Sequence, residues 1–241
     1  MSESPVKSIV YSDLEYEDFH VSEPTIYSIQ YNEVKYEILL HYKPGNREAV
    51  VFGNGDVATT GKTYNYPFWS RGTWAAELPF NAIYYFDPTV YLGEATLCWC
   101  YGENRRWYLK DIANIIEKIL KKLQIKIDHV VFSGSSGGGF TSIMLATMMR
   151  GKVACINPQL SAIDYHPHKV EELKESVLKE GECLIVERLK CISYFIETNY
   201  IPQIYIKQNL NSKYDVEKQM LPFLKSVSEL RFDCKGRIVY E

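Results

Sequence analysis

One stretch of this sequence leaves its backbone few choices. The β-branched run His129–Ser133 breaks directly into Gly134-Ser135-Ser136-Gly137-Gly138-Gly139, and Gly138–Met149 is then almost wholly apolar or small. The run predicts a strand and the apolar segment a helix buried on most sides. Four glycines at the junction permit a sharp strand-to-helix turn, with Gly134, Ser136 and Gly138 in G-x-S-x-G register. A turn this tight forces its central serine into a strained conformation, so small residues are needed on both sides. It aims the hydroxyl out of the sheet, where the helix start offers free N–H groups and the positive end of a dipole to developing negative charge. Two other uses stay open: glycines that allow close helix–sheet packing, and anion binding at the helix N-terminus. A P-loop is excluded because no Gly-Lys-Ser/Thr follows, and a G-x-G-x-x-G fingerprint fails because position 136 is serine.

The surrounding pattern sets this turn in an α/β chain. Thr25–Gln30 and Glu33–Tyr42 flank a Tyr31-Asn32 step and predict an N-terminal antiparallel hairpin. Glu48–Phe52, stopped by Gly53-Asn54-Gly55-Asp56, and Asn81–Phe86, stopped by Asp87-Pro88, read as strands. In Trp107–Leu123, the residues Ile112, Ile115, Ile116, Ile119, Leu120 and Leu123 fall on one helix face. Lys152–Asn157, Ile201–Lys207 and Arg237–Tyr240 predict further strands; Val170–Lys179, Cys183–Glu197 and Val216–Ser226 predict helices. The alternation predicts a mainly parallel sheet with helices on both faces. Nothing divides the chain, so residues 1–241 read as one domain, with 1–24 an irregular N-terminal extension. Ligands of such sheets sit at the carboxyl ends of strands. That rule gathers Gly53–Asp56, Asp87–Thr89, Gly134–Gly139, Asn157–Asp164 and Gln208–Asp215 on one rim.

With the G-x-S-x-G turn, this element order resembles the α/β-hydrolase superfamily over roughly residues 30–240. Four further segments narrow the likeness: Phe132–Phe140, Ile156–Gln159, Phe86–Thr89, and Gln208-Asn209 with Leu221-Pro222-Phe223. Together they are similar to bacterial hydrolase-like proteins linked to surface-polysaccharide or glycoprotein assembly. The resemblance implies Ser136 as nucleophile. It implies an oxyanion hole from the backbone N–H of Gly137 and the loop Gly53, Asn54 and Gly55. It places the acid after the Ile201–Lys207 strand, where Asp215 is the only carboxylate of the loop; Asp215 also reads as a helix N-cap.

The base is harder to place. The superfamily order puts a histidine after the last strand, yet the five histidines end at His168. His166 and His168 follow the Lys152–Asn157 strand on the correct rim, and either a base or a polar loop capping the next helix suits them. Among other rim residues, Asp87 suits orienting a base, binding a sugar hydroxyl or an Asp-Pro turn. Arg71 and Trp74 lie in a long loop able to cover a cleft, Arg71 facing an anionic substrate group or a structural ion pair. The aromatic residues Tyr64, Tyr66 and Phe68 of that loop suit stacking on a sugar or plain packing.

Composition narrows the classes. With 46% hydrophobic and 24% charged residues, the chain reads as globular. The net charge of −3 lowers the case for nucleic acid, and no apolar run approaches a membrane span. The first ten residues lack a signal-peptide pattern, and six scattered cysteines then read as reduced thiols of a cytoplasmic protein. Only Cys98 and Cys100 are close; on a strand they would face opposite ways, so no metal or other cofactor is expected. Two functions follow. One is a serine esterase or deacylase, or an acyltransferase, acting on a small-molecule or glycan substrate. The other is a weak or inactive hydrolase-like protein that binds glycan or protein partners of an assembly system.

Overall fold

The computed structural model describes residues 4–57, 66–231 and 238–241. The strands are β1 (Val6–Val10), β2 (Thr25–Tyr31), β3 (Val34–His41), β4 (Ala49–Phe52), β5 (Asn81–Tyr85), β6 (Val130–Ser136), β7 (Lys152–Pro158), β8 (Gln203–Lys207) and β9 (Ile238–Tyr240). They form one sheet in the order β1-β2-β3-β5-β4-β6-β7-β8-β9. The β2–β3 and β3–β5 pairs are antiparallel and all others parallel. Asn32 and Glu33, at φ 45° and 68°, make the two-residue turn of the expected hairpin. The helices are α1 (Tyr108–Lys122), α2 (Gly137–Met149), α3 (Pro167–Val177), α4 (Cys191–Thr198), α5 (Lys213–Asp215) and α6 (Leu221–Ser228). None is long and apolar enough to cross a membrane among the described residues.

Alternate residues of a strand face opposite ways, and β4 feeds two cores accordingly. Ala49 and Val51 join the large core with Ile112, Ile116, Ile143 and Phe195 of α1, α2 and α4. Val50 and Phe52 join Leu39, Tyr84 and Ala75, the last from a 3-10 turn at Gly72–Ala76. Arg71, just before this turn, lies at the carboxyl end of β6, against Ser135. Part of the high tyrosine content is core, with Tyr27, Tyr36, Tyr84, Tyr85, Tyr101 and Tyr108 fully buried.

Four expectations need correction. The stretch 1–24 is not irregular throughout: β1 pairs in parallel with β2, as an exposed edge strand whose residues carry no apolar alternation. Cys98-Trp99-Cys100 is not a strand; Trp99 and Cys100 are left-handed (φ 52° and 53°), and burial drives both thiols well above their usual range. No group that could hold a metal ion occurs among the described residues. The helix expected over Cys183–Glu197 forms only from Cys191, after a 3-10 turn at Val186–Leu189. Distant partners outcompete local helix there. Arg188 donates to the carbonyls of Glu103 (2.7 Å) and Asn104 (2.8 Å), and Ala162 N donates to Leu189 O at 2.7 Å. Arg188→Ala is expected to cost about 2 kcal/mol in urea melts, in line with lost charge-assisted hydrogen bonds. The helix expected over Val216–Ser226 is interrupted by a π turn, Val216–Met220, just before Pro222, which has no N–H to continue the α ladder.

Candidate active site

The β6–α2 junction is the turn that the glycines require. Ser136 sits at φ 53°, ψ −127°, a conformation that costs a non-glycine residue of order 1–3 kcal/mol. The neighbours show why nothing larger than glycine fits. A Cβ on Gly134 would lie 2.3 Å from Gly138 O, and one on Gly139 would lie 2.7 Å from Pro158 Cβ. At Gly137 the obstacle, Leu97 Cδ1 at 2.5 Å from a Cβ, is the end of a side chain that can give way, so the strict requirement falls on Gly134 and Gly139. Close packing and a strained serine are therefore one device: the sheet and α2 clamp the turn.

The proposed oxyanion donors can be sorted by their bonds. Gly53 N–H donates to Ser133 O at 3.0 Å and is spent on the sheet. Gly137 opens α2, and Gly55 lies against it: a Cβ on Gly55 would stand 3.8 Å from Ser136 Cβ and 4.0 Å from Gly137 N. Of the three loop residues expected as donors, this leaves Asn54 and Gly55 as candidates. The Asn54 side chain serves elsewhere: Nδ2 donates to Phe68 O and Oδ1 accepts from Ser70 N at 2.9 Å, tying the segment before Arg71 to the turn after β4.

The partner of Ser136 is a glutamine, which sequence reasoning missed. Gln159 follows β7 directly; its N–H donates to Ser136 O and its Nε2 to Ser136 Oγ, both at 3.1 Å. Gln159 Oε1 accepts from the indole Nε1 of buried Trp99. Buried Gln219, from the π turn, accepts from Leu160 N (2.8 Å) and Ser161 N (2.9 Å) and so fixes the loop behind Gln159. Trp99, Gln159 and Ser136 form a line with the shape of a carboxylate–imidazole–serine relay but the opposite polarity. Hydrogen bonds run toward the serine, and a carboxamide cannot take its proton. The sequence signals available were that Gln159 stands just past a strand end on the ligand rim and closes the Ile156–Gln159 segment.

The other expected residues are distributed as follows. Burial raises the Asp87 carboxyl against hydrogen bonds from the N–H groups of Cys100 (2.6 Å) and Thr89 (2.8 Å). Asp87 thereby caps the Pro88–Tyr91 turn, a structural position beneath the rim. Asp215 lies in α5, not at an N-cap position bonded to it; its carboxylate accepts from Ser212 Oγ at 2.6 Å. His166 stacks on Tyr214 (ring centroids 4.2 Å apart) and adjoins Tyr165 (4.4 Å) and His168 (5.7 Å). Tyr165 in turn lies edge-on to Trp99. The rim therefore gathers His166, His168 and Asp215's helix beside the Ser136 line, while the hydrogen bonds of Ser136 Oγ go to Gln159 and not to an imidazole. Arg71 Nη2 donates to Ser135 Oγ at 2.9 Å, next to Ser136 in the chain, and its guanidinium lies over Trp74. Of the aromatic loop residues, Tyr66 packs on Phe86 and Tyr91, and Tyr64 lies outside the described residues.

No family model matches this sequence, and no curated protein matches it either. Solved structures do. The capsule O-acetyltransferase of Neisseria meningitidis serogroup A aligns with a TM-score of 0.61 at 14% identity, over 88% of this chain and 88% of that one. The S-formylglutathione hydrolase of Agrobacterium tumefaciens aligns at 0.57 and 13% identity, over 93% of this chain and 89% of that one. A chain of a glycosylation-associated protein complex from Streptococcus agalactiae aligns at 0.53 and 13% identity, over 88% of this chain but 41% of its own length. At these identities the likeness is one of fold.

Proposed function

Taking as premise that this chain has the α/β-hydrolase fold, we propose that it transfers or hydrolyses an acyl group at Ser136. The observation that carries this reading is the strained, half-buried Ser136 at the head of α2, because such strain persists where the surroundings over-determine it. In the reaction, Ser136 Oγ bonds to the ester carbonyl carbon and the carbonyl oxygen takes the negative charge. That oxygen rests on backbone N–H groups of Gly137 and of Asn54 or Gly55. The alcohol leaves with a proton, and water or a sugar hydroxyl then releases the acyl group from Ser136. Of the titratable groups of the rim, His166, His168 and Asp215 are the candidates to accept the serine proton, each after moving toward Ser136. The capsule O-acetyltransferase among the structural neighbours supports a glycan as the acceptor.

A second reading, a protein that binds glycan or assembly partners without turnover, is favoured by one bond. Gln159 Nε2 holds Ser136 Oγ as an acceptor and offers it no base. A fluorophosphonate probe separates the two. Labelling of the wild type that disappears in Ser136→Ala supports acyl transfer; a folded wild type that stays unlabelled overturns it and leaves the binding protein.

A further inference from the structure

We propose that Arg71, with Ser135 and Trp74, forms an anion-recognition site beside Ser136, so that the ligand carries a carboxylate or phosphate next to its reacting group. The proposal rests on the acyl-transfer reading for what lies beside the anion, and not for the anion's binding. Arg71 is held in place from both sides. Its own backbone is left-handed (φ 62°, ψ 18°), an unfavourable state for arginine. Its carbonyl accepts from Tyr84 Oη at 3.1 Å and from Trp74 N at 2.9 Å, and Ser70 N, one residue earlier, is bound by Asn54 Oδ1. Tyr84 is buried, and its hydroxyl is pushed up to about 12 by that burial, against the opposing charge of Arg71.

Among the described residues no carboxylate forms a salt bridge with the guanidinium that this anchoring delivers. The acids of the same rim have their own partners. Asp56 pairs with Lys169 (3.2 Å) and accepts from Thr96 Oγ1 (2.7 Å), Asp164 pairs with Lys190 (3.0 Å), and Asp215 is bound by Ser212. One Arg71 N–H goes to the Ser135 hydroxyl and one face of the plane covers Trp74, which is 51% exposed. Arginine presents five N–H donors in a planar fork that matches carboxylate and phosphate, so donors remain for a ligand. The hydroxyl of Ser135 and the open indole of Trp74 supply a further polar contact and a stacking surface, the mix a charged sugar derivative uses.

The test follows the Trp74 indole N–H signal by NMR, assigned with Trp74→Phe, during titration with D-glucuronate, a glucosyl phosphate and the neutral methyl ester of glucuronate. An acidic sugar is expected to bind the wild type at least about tenfold more tightly than the neutral ester, the scale of charge-assisted hydrogen bonds. Whichever of carboxylate and phosphate binds tighter identifies the source of the anion. Arg71→Gln is expected to erase the preference and Arg71→Lys to keep part of it, since charge stays and the fork is lost. Ser136→Ala should keep the preference in full, so a failed fluorophosphonate test leaves this result standing. Equal titration by acidic and neutral sugars, or no shift with any of them, overturns the proposal.

Discussion

Gly138→Ala is expected to remove at least about 3 kcal/mol of stability, a large part of what a domain of this kind has. Two effects oppose each other at this position. Gly138 lies in α2, where alanine is favoured over glycine by about 1 kcal/mol. Against that, a Cβ would stand 2.4 Å from Gly53 O and 2.8 Å from Asn54 C. Both obstacles are backbone, and Gly53 is pinned to β6 through its hydrogen bond to Ser133 O, so neither can swing away as a flexible side chain would. Overlap therefore wins. Gly55→Ala supplies the contrast: its nearest obstacle, Ser135 O, is 3.3 Å away. Its stability cost should be about 1 kcal/mol or less, while the added methyl beside Ser136 slows probe labelling. Urea unfolding followed by tryptophan fluorescence measures both. A Gly138→Ala midpoint equal to wild type would show that the turn is not clamped as described.

Gln159→Glu is expected to raise the rate of fluorophosphonate labelling at Ser136 by about 10²-fold, the lower end of what a positioned general base contributes. The substitution preserves shape and the bond from Trp99 Nε1, but it turns the group facing Ser136 Oγ from donor into acceptor. Gln219 still holds Leu160 and Ser161, so the backbone that presents the side chain stays in place. The gain should appear as pH rises through the pKa of the introduced carboxyl, which burial raises above the ordinary glutamate value. Gln159→His is expected to give no comparable gain. The indole N–H of Trp99 would make the near imidazole nitrogen its acceptor, leaving the proton on the nitrogen that faces Ser136. Labelling of Gln159→Glu at the wild-type rate, or without pH dependence, refutes the reversed polarity of the Trp99–Gln159–Ser136 line.

Much of the architecture was legible in the residues because it rests on short-range rules. The apolar and aromatic runs on either side of Tyr31-Asn32 marked β2 and β3, the spacing of three and four marked α1, and the Gly134–Gly139 cluster placed the start of α2 within a residue, although β6 runs three residues further, to Ser136, than its β-branched run suggested. The misreadings share a cause: local preference was decided elsewhere in the chain. β1 exists because the edge of β2 was open to it, and its exposed residues carry no pattern. Cys183–Glu197 has helical character that the bonds of Arg188 and Leu189 to distant backbone override. Around the candidate site, the sharp turn at Ser136 was legible in its glycines. The partner of Ser136 was not, since Trp99 and Gln159 stand 60 residues apart and the Ile156–Gln159 segment does not say which side chain its glutamine meets.

By itself, then, the sequence determined the conformation at Ser136, because glycine sterics at a strand–helix junction act between neighbours and leave one turn. Only the tertiary structure decided what that serine faces. The hydrogen bonds of Gln159 and the placement of Arg71 come from segments that meet across the sheet, and the direction of such bonds depends on which groups are brought together.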